Sequence, residues 1–119
     1  MAHADLKSLM EANLREVFGE RDPEARREAI RRTYTEDVVF ADPDAEVQGH
    51  DALHAKAQEI LDGGGPDFVF APDGPFYQVQ DLGYLAWAFG PEGAPVVRGA
   101  DMGIVRDGLL AKVYTVLFT

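Results

Sequence analysis

Apolar residues recur at three- and four-residue intervals along the start of the chain, through Leu6, Leu9, Met10, Leu14, Val17 and Phe18. That spacing predicts an amphipathic helix over residues 4–18, with Gly19 placed to end it. Asp22 before Pro23 reads as an N-cap followed by a first-turn proline. A second helix is therefore expected through about Tyr34, with Arg26, Arg27, Arg31 and Arg32 outward and Ala25, Ala29, Ile30 and Tyr34 inward. Val38, Val39 and Phe40 form a short β-branched and aromatic strand, closed by the turn chemistry of Asp42-Pro43-Asp44. After Gly49 a third helix is predicted to about Leu61, with Leu53, Ala57 and Ile60 on one side.

Gly63-Gly64-Gly65-Pro66 then breaks the pattern, and the period changes from helical to alternating. Strands are predicted at residues 68–71, 76–80, 84–89, 96–106 and 109–118, separated by Pro-Asp-Gly, Asp-Leu-Gly, Pro-Glu-Gly-Ala-Pro and Arg-Asp-Gly. Helices first and a meandering sheet afterwards define an α+β class, not alternating βαβ units. At 119 residues, with no internal repeat or low-complexity tract, the chain reads as one domain, 1–119.

Charge narrows the partners. With 11 Lys+Arg against 21 Asp+Glu the formal charge is −10, which repels phosphate backbones and anionic membranes, so neither nucleic acid nor membrane is expected. A hydrophobic content of 46% is too high for disorder, so the acidity belongs to the outside of a packed domain. The absence of cysteine excludes disulfides and thiolate metal sites and agrees with a cytoplasmic location. Asp5, Lys7 and Glu11 interrupt the N-terminal stretch, which reads as neither a signal peptide nor a membrane span.

The helix-end-to-strand motif YTEDVVFADP, the helix start Gly49-His50-Asp51-Ala52-Leu53, the run Tyr84-Leu85-Ala86-Trp87 and the closing hairpin RGADMGIVRDGLLAKVY resemble the nuclear-transport-factor-2-like (NTF2-like), or SnoaL-like, superfamily. Its members include ketosteroid isomerases and polyketide cyclases. The resemblance covers nearly the whole chain and implies a cystatin-like cone: three N-terminal helices packed on a curved, mostly antiparallel sheet around an apolar cavity, often as a homodimer. This fold hosts isomerases, cyclases, hydrolases and non-catalytic binding proteins, so it implies no single activity.

Two acids are the candidate catalytic residues. Asp42 follows the short strand where the resembled isomerases carry the carboxylate that moves a proton beside a carbonyl; the alternative is an Asx-turn residue that only accepts backbone N–H bonds. Asp101 shares one strand face with Val97, Gly99, Gly103 and Val105. By resemblance it matches the protonated acid that donates to an enolate oxygen, and burial would raise its pKa. The alternative for Asp101 is an exposed face or a salt bridge to Arg98 or Arg106.

Pocket-binding candidates are Asn13, Trp87 and Tyr114. The resembled isomerases use a first-helix tyrosine as oxyanion donor, and this first helix has none. Asn13 instead falls inside the apolar stripe, where a buried amide must find a partner, either a ligand or nearby protein atoms. Trp87 and Tyr114 sit on predicted strands, as pocket lining or as ordinary core. His50 and His54 are four apart, a spacing that permits chelation, yet no third ligand accompanies them, so no metal is expected. GxGxxG, GxxxxGKS and GxSxG patterns are absent, and YLAWAF lacks the Arg-x-Asp pair of limonene-epoxide-hydrolase-like members.

The expectation is a small apolar molecule in the cone, without cofactor. Any catalysis would be proton transfer beside a carbonyl, with Asp42 as base and Asp101 and Asn13 at the enolate oxygen. The rival is a non-catalytic dimerisation or binding module that self-associates through the apolar face carrying Ala100, Met102 and Ile104.

Overall fold

The computed structural model describes residues 5–118. Among the described residues, helices and strands follow in the α+β order the periodicities predict, with two strands before the third helix and five after it. Helix α1 (Leu6–Ala12) is capped by Asp5, whose carboxylate accepts from the Ser8 N–H at 2.7 Å. Its axis continues through a π-helical segment, Asn13–Phe18, ended by Gly19. The predicted single helix thus changes winding at Asn13, and residue 4 of its expected span lies outside the described residues.

Helix α2 (Pro23–Thr33) starts on the Asp22 cap, whose side chain accepts from the Ala25 N–H. Arg26 corrects the expected outward row of arginines, because it is fully buried. Its Nε donates to the Glu20 carbonyl and its guanidinium to Gln58 Oε1, so the charge is met by acceptors from the preceding loop and from α3 (His50–Gly63). The first strand is longer than predicted: β1 spans Tyr34–Ala41, and Tyr34 is its first residue instead of the last of α2.

A short strand β2 (Glu46–Gln48), unforeseen from sequence, pairs antiparallel with β1 across the Asp42 turn. Beyond α3 come β3 (Phe68–Pro72), β4 (Tyr77–Val79), β5 (Leu82–Pro91), β6 (Val97–Arg106) and β7 (Leu109–Leu117). The sheet order is β2-β1-β7-β6-β5-β3, with β4 also on β5. Among the described residues only β1 and β7 run parallel, so the sheet is mixed and mostly antiparallel, wrapped over the helices as in an NTF2-like cone.

The core lies between helices and sheet, with Met10, Leu14, Val17, Ile30, Val38 and Val113 among its buried members. Met10 of α1 packs directly over Gly103, where a Cβ would stand 2.5 Å from its Sδ.

One irregularity decides the site. The β6–β7 hairpin starts as Arg106↔Leu109 and Val105↔Leu110 across the Asp107-Gly108 turn, then resumes as Ile104↔Lys112, leaving Ala111 unpaired. One extra residue reverses which side chains of β7 face inward, because strand side chains alternate. Leu110 is inward before the bulge, and Val113 and Thr115 are inward after it.

Candidate functional site

Helices and sheet leave a cavity of about 490 Å³ between them. Phe18, Phe40, Phe68, Phe70, Trp87 and Phe89 give it aromatic walls. Phe70 stacks on Phe89 at 4.1 Å between ring centroids and meets Trp87 edge-on at 5.3 Å, which fixes that wall. Asp42 and Asp101, 59 positions apart in sequence, both line this cavity. The polar lining is graded: Asp44 and Glu59 are exposed, Asp42 and Lys56 partly buried, and Asp101 buried.

Asp101 is held in the middle of β6, opposite Leu85 of β5 and Thr115 of β7. Its Oδ1 accepts from Trp87 Nε1 at 3.0 Å and Thr115 Oγ1 at 2.6 Å, and its Oδ2 accepts from Asn13 Nδ2 at 2.8 Å. The Trp87 bond depends on Gly99, over which the indole lies; a Cβ there would meet Trp87 Cζ2 at 2.7 Å. Burial pushes Asp101 above the ordinary carboxylate range, and the Thr115, Trp87 and Asn13 donors offset that only in part. The alternative salt bridge to Arg98 or Arg106 does not form: Arg98 pairs with Asp73, and Arg106 with Asp37 and Asp107.

Asn13 is fully buried and stands behind Asp101 instead of lining the cavity. Its Nδ2 serves Asp101, and its Oδ1 accepts from the Tyr34 hydroxyl at 2.5 Å. Tyr34 is itself buried, which raises its pKa well above the ordinary phenol value, and the nearby Asp101 charge raises it further. The phenol therefore keeps its proton, which it donates to the Asn13 amide oxygen.

Asp42 forms the Asx turn of its second sequence reading and also lines the cavity. Its Oδ1 accepts from the Asp44 and Ala45 N–H groups at 2.9 and 2.8 Å, an Asx turn, while Oδ2 lies 3.0 Å from Lys56 Nζ. The side chains of this pair are 13% and 12% exposed, respectively. Burial alone would raise the carboxyl, yet Lys56 and the two backbone donors outweigh it and hold Asp42 below its ordinary pKa.

Tyr114 lies on the other side of the sheet: its side chain is 39% exposed, with Lys112 Nζ 5.3 Å from the ring centroid. The bulge at Ala111 is the reason, since an unbroken ladder from Val105↔Leu110 would set Tyr114 opposite Asp101, and the extra residue puts Thr115 there. Trp87 is a cavity wall. His50 is committed to the Tyr34 and Thr35 carbonyls at 3.3 and 2.9 Å, and no cluster of three metal-ligating side chains occurs among the described residues.

Sequence reasoning missed Thr115, Lys56 and the role of Tyr34. Lys56 was findable, because Leu53, Lys56, Ala57 and Ile60 share one helical stripe and a lysine inside it is out of place. Thr115 was hidden by the bulge. Tyr34 was legible as a core residue but not as a partner of Asn13.

A small cone with an aromatic cavity and a buried acid on its longest hairpin defines a class of small-molecule pockets. The chain belongs to the SnoaL-like domain family, whose sequence profile matches residues 12–113. Among solved structures it is similar to a SnoaL-like family protein of Agrobacterium tumefaciens grouped with the isomerases, with a TM-score of 0.86 and 20% identity over 95% of this chain and 97% of that one. It is also similar to a SnoaL-like protein of Jannaschia grouped with the polyketide cyclases (TM-score 0.72, 14% identity, 92% and 82% covered). A third is a Catenulispora acidiphila protein of ketosteroid-isomerase-like fold, solved with trimethylamine (TM-score 0.68, 15% identity, 90% and 82% covered). At these identities the likeness is one of fold. No curated protein matches the chain.

Proposed function

We propose that the cavity binds a small, mostly apolar carbonyl compound and catalyses proton transfer beside the carbonyl, with Asp42 as base and Asp101 as the donor that stabilises the enolate oxygen. The observation that carries this reading is a pair of carboxyl groups on one aromatic cavity whose surroundings drive their proton affinities in opposite directions. One acid whose surroundings favour the anion and another whose surroundings favour the protonated form, on a single cavity, give the division of labour that enolisation needs. Asp42 stays an acceptor because Lys56 and two amides stabilise its anion, at the expense of basicity. Asp101 supplies the compensation: a hydrogen bond donated in a water-poor site stabilises a developing enolate more strongly than one in bulk water. Thr115, which lines the cavity and bonds to Asp101, is the hydroxyl through which that donation reaches a ligand. Asn13 acts behind Asp101 and does not touch the ligand.

The test is α-proton exchange of a panel of cyclic and aryl ketones in deuterated water, followed by NMR. Asp42→Asn should slow any exchange the protein accelerates by about a hundredfold or more, the usual weight of a positioned general base. Unchanged exchange in that variant rejects Asp42 as base.

The outer sheet face favours a second, compatible role in self-association. Tyr77, Val79, Tyr114, Val116 and Phe118 are exposed, and Ala100 and Ala86 lie beneath them on the same face. A homodimer that covers this face would have twice the chain mass in sedimentation equilibrium.

A further inference from the structure

We infer that Tyr34 and Asn13 form an amide lock that obliges Asp101 to trade its proton with the cavity through Thr115. The inference rests on the proposed role of Asp101 and adds the positioning residues that govern it.

An asparagine amide presents an acceptor on one side and donors on the other, so its orientation decides what a neighbouring carboxyl can do. The Tyr34 hydroxyl donates to Asn13 Oδ1, leaving Asn13 Nδ2 as the group that meets Asp101 Oδ2. Reversing the amide would turn its oxygen to the carboxyl and take away the acceptor to which the buried Tyr34 O–H donates. Trp87 Nε1 at Oδ1 is a donor by its chemistry and has no reverse role.

Two of the three partners of Asp101 thus donate whatever its charge. Thr115 alone can do either, because a hydroxyl donates to a carboxylate and accepts from a carboxylic acid. When Oδ1 carries the proton and gives it to Thr115 Oγ1, the threonine O–H is freed. Thr115 belongs to the cavity lining together with Asp101 and Trp87, whereas Asn13 and Tyr34 do not, so the freed hydroxyl is open to a ligand.

The groups facing Asp101 are Asn13 from the π-helical segment, Tyr34 behind it, Leu85 and Trp87 from β5, and Thr115 from β7. Tyr34 is the titratable one among them. Asp42, Asp44, Lys56 and Glu59 share the cavity from the β1 end and α3.

Carboxyl titration by ¹³C NMR of the full chain tests the lock without a ligand. Tyr34→Phe frees Asn13 Oδ1 to turn toward a protonated Asp101, so the midpoint of Asp101 should rise by about one pH unit, a tenfold gain in proton affinity. Asn13→Ala should raise it similarly, and Tyr34→Phe added to Asn13→Ala should do nothing more, since the phenol acts only through the amide. Thr115→Val should move the midpoint far less than Asn13→Ala, because the lost hydroxyl served both protonation states; Thr115→Ser should match the unaltered chain.

A Tyr34→Phe midpoint within a few tenths of the original, or additive effects in the double variant, overturns the lock. A Thr115→Val rise as large as that of Asn13→Ala overturns the exit through Thr115. An ordinary carboxylate midpoint for Asp101 in the unaltered chain would instead sink the donor role proposed above, and the coupling of Tyr34 to Asn13 would still be read from the variants. Since Asn13→Ala also opens a buried space, the isosteric pair Tyr34→Phe and Thr115→Val decides the outcome if that variant fails to fold.

Discussion

Replacing Gly99 with alanine sets two effects of opposite sign against each other. In a strand interior, alanine in place of glycine ordinarily stabilises by about 0.5–1 kcal/mol, because the unfolded chain has less freedom to lose. Here the added Cβ would stand 2.4 Å from the Val116 carbonyl oxygen and 2.7 Å from Trp87 Cζ2. The carbonyl is backbone and cannot swing aside, so the strands must part or the indole must shift. Overpacking of this kind costs about 1–3 kcal/mol. A shifted indole also loses its bond to Asp101, worth about 1 kcal/mol or more. The net expectation is a loss of about 2–3 kcal/mol, or about 8–12 °C in Tm for a domain of this size. Urea unfolding measures it directly, because Trp87 is the sole tryptophan and its emission reports both the transition and the displaced ring. Gly63→Ala is the control: nothing lies within 4 Å of the added carbon, so that variant should be neutral or slightly more stable. A Gly99→Ala protein as stable as the parent, with unchanged emission, would refute the claim that this glycine makes room for the indole.

Asp101 should leave a signature in stability against pH. Its folded pKa is raised, so the native state holds the proton more tightly than the unfolded chain does. The contribution is complete below the unfolded value of about 4 and is lost as pH rises through the folded midpoint. The parent's stability relative to Asp101→Asn should therefore fall as pH rises over that window, and a relative stability that stays flat in urea titrations at successive pH values would contradict it. Asp42 behaves oppositely: Lys56→Met should raise its NMR midpoint toward or above the ordinary range and cost about 1–3 kcal/mol, since both side chains are largely shielded. An unmoved Asp42 would mean that the backbone donors alone hold it.

The architecture was readable because each element carries its own period. The Leu6-to-Phe18 stripe, the Asp22-Pro23 start, the Gly63-to-Pro66 break and the alternating strands yield the observed order of helices and sheet. Asp101 stood out in sequence as an acid between two glycines on an apolar strand face, and that face is the inner one. What stayed hidden depends on relations between distant segments. The pairing of Asn13 with Tyr34 spans 21 positions and a change of helix. Arg26 sits in a row of arginines that looks uniformly solvated, and only the approach of Gln58 and the Glu20 carbonyl distinguishes it. The facing of Tyr114 and Thr115 hangs on Ala111, a residue with no turn chemistry of its own.

That unpaired alanine makes the hairpin a two-position dial. Taking Ala111 into the ladder opposite Ile104 would move every later β7 residue along by one, sending Val113 and Thr115 out to solvent and carrying a phenol in beside the acid. A one-residue slip of β7 would thus exchange an aliphatic hydroxyl for an aromatic one at the heart of the hollow, a route by which one scaffold acquires a different reactivity while every other strand stays where it is.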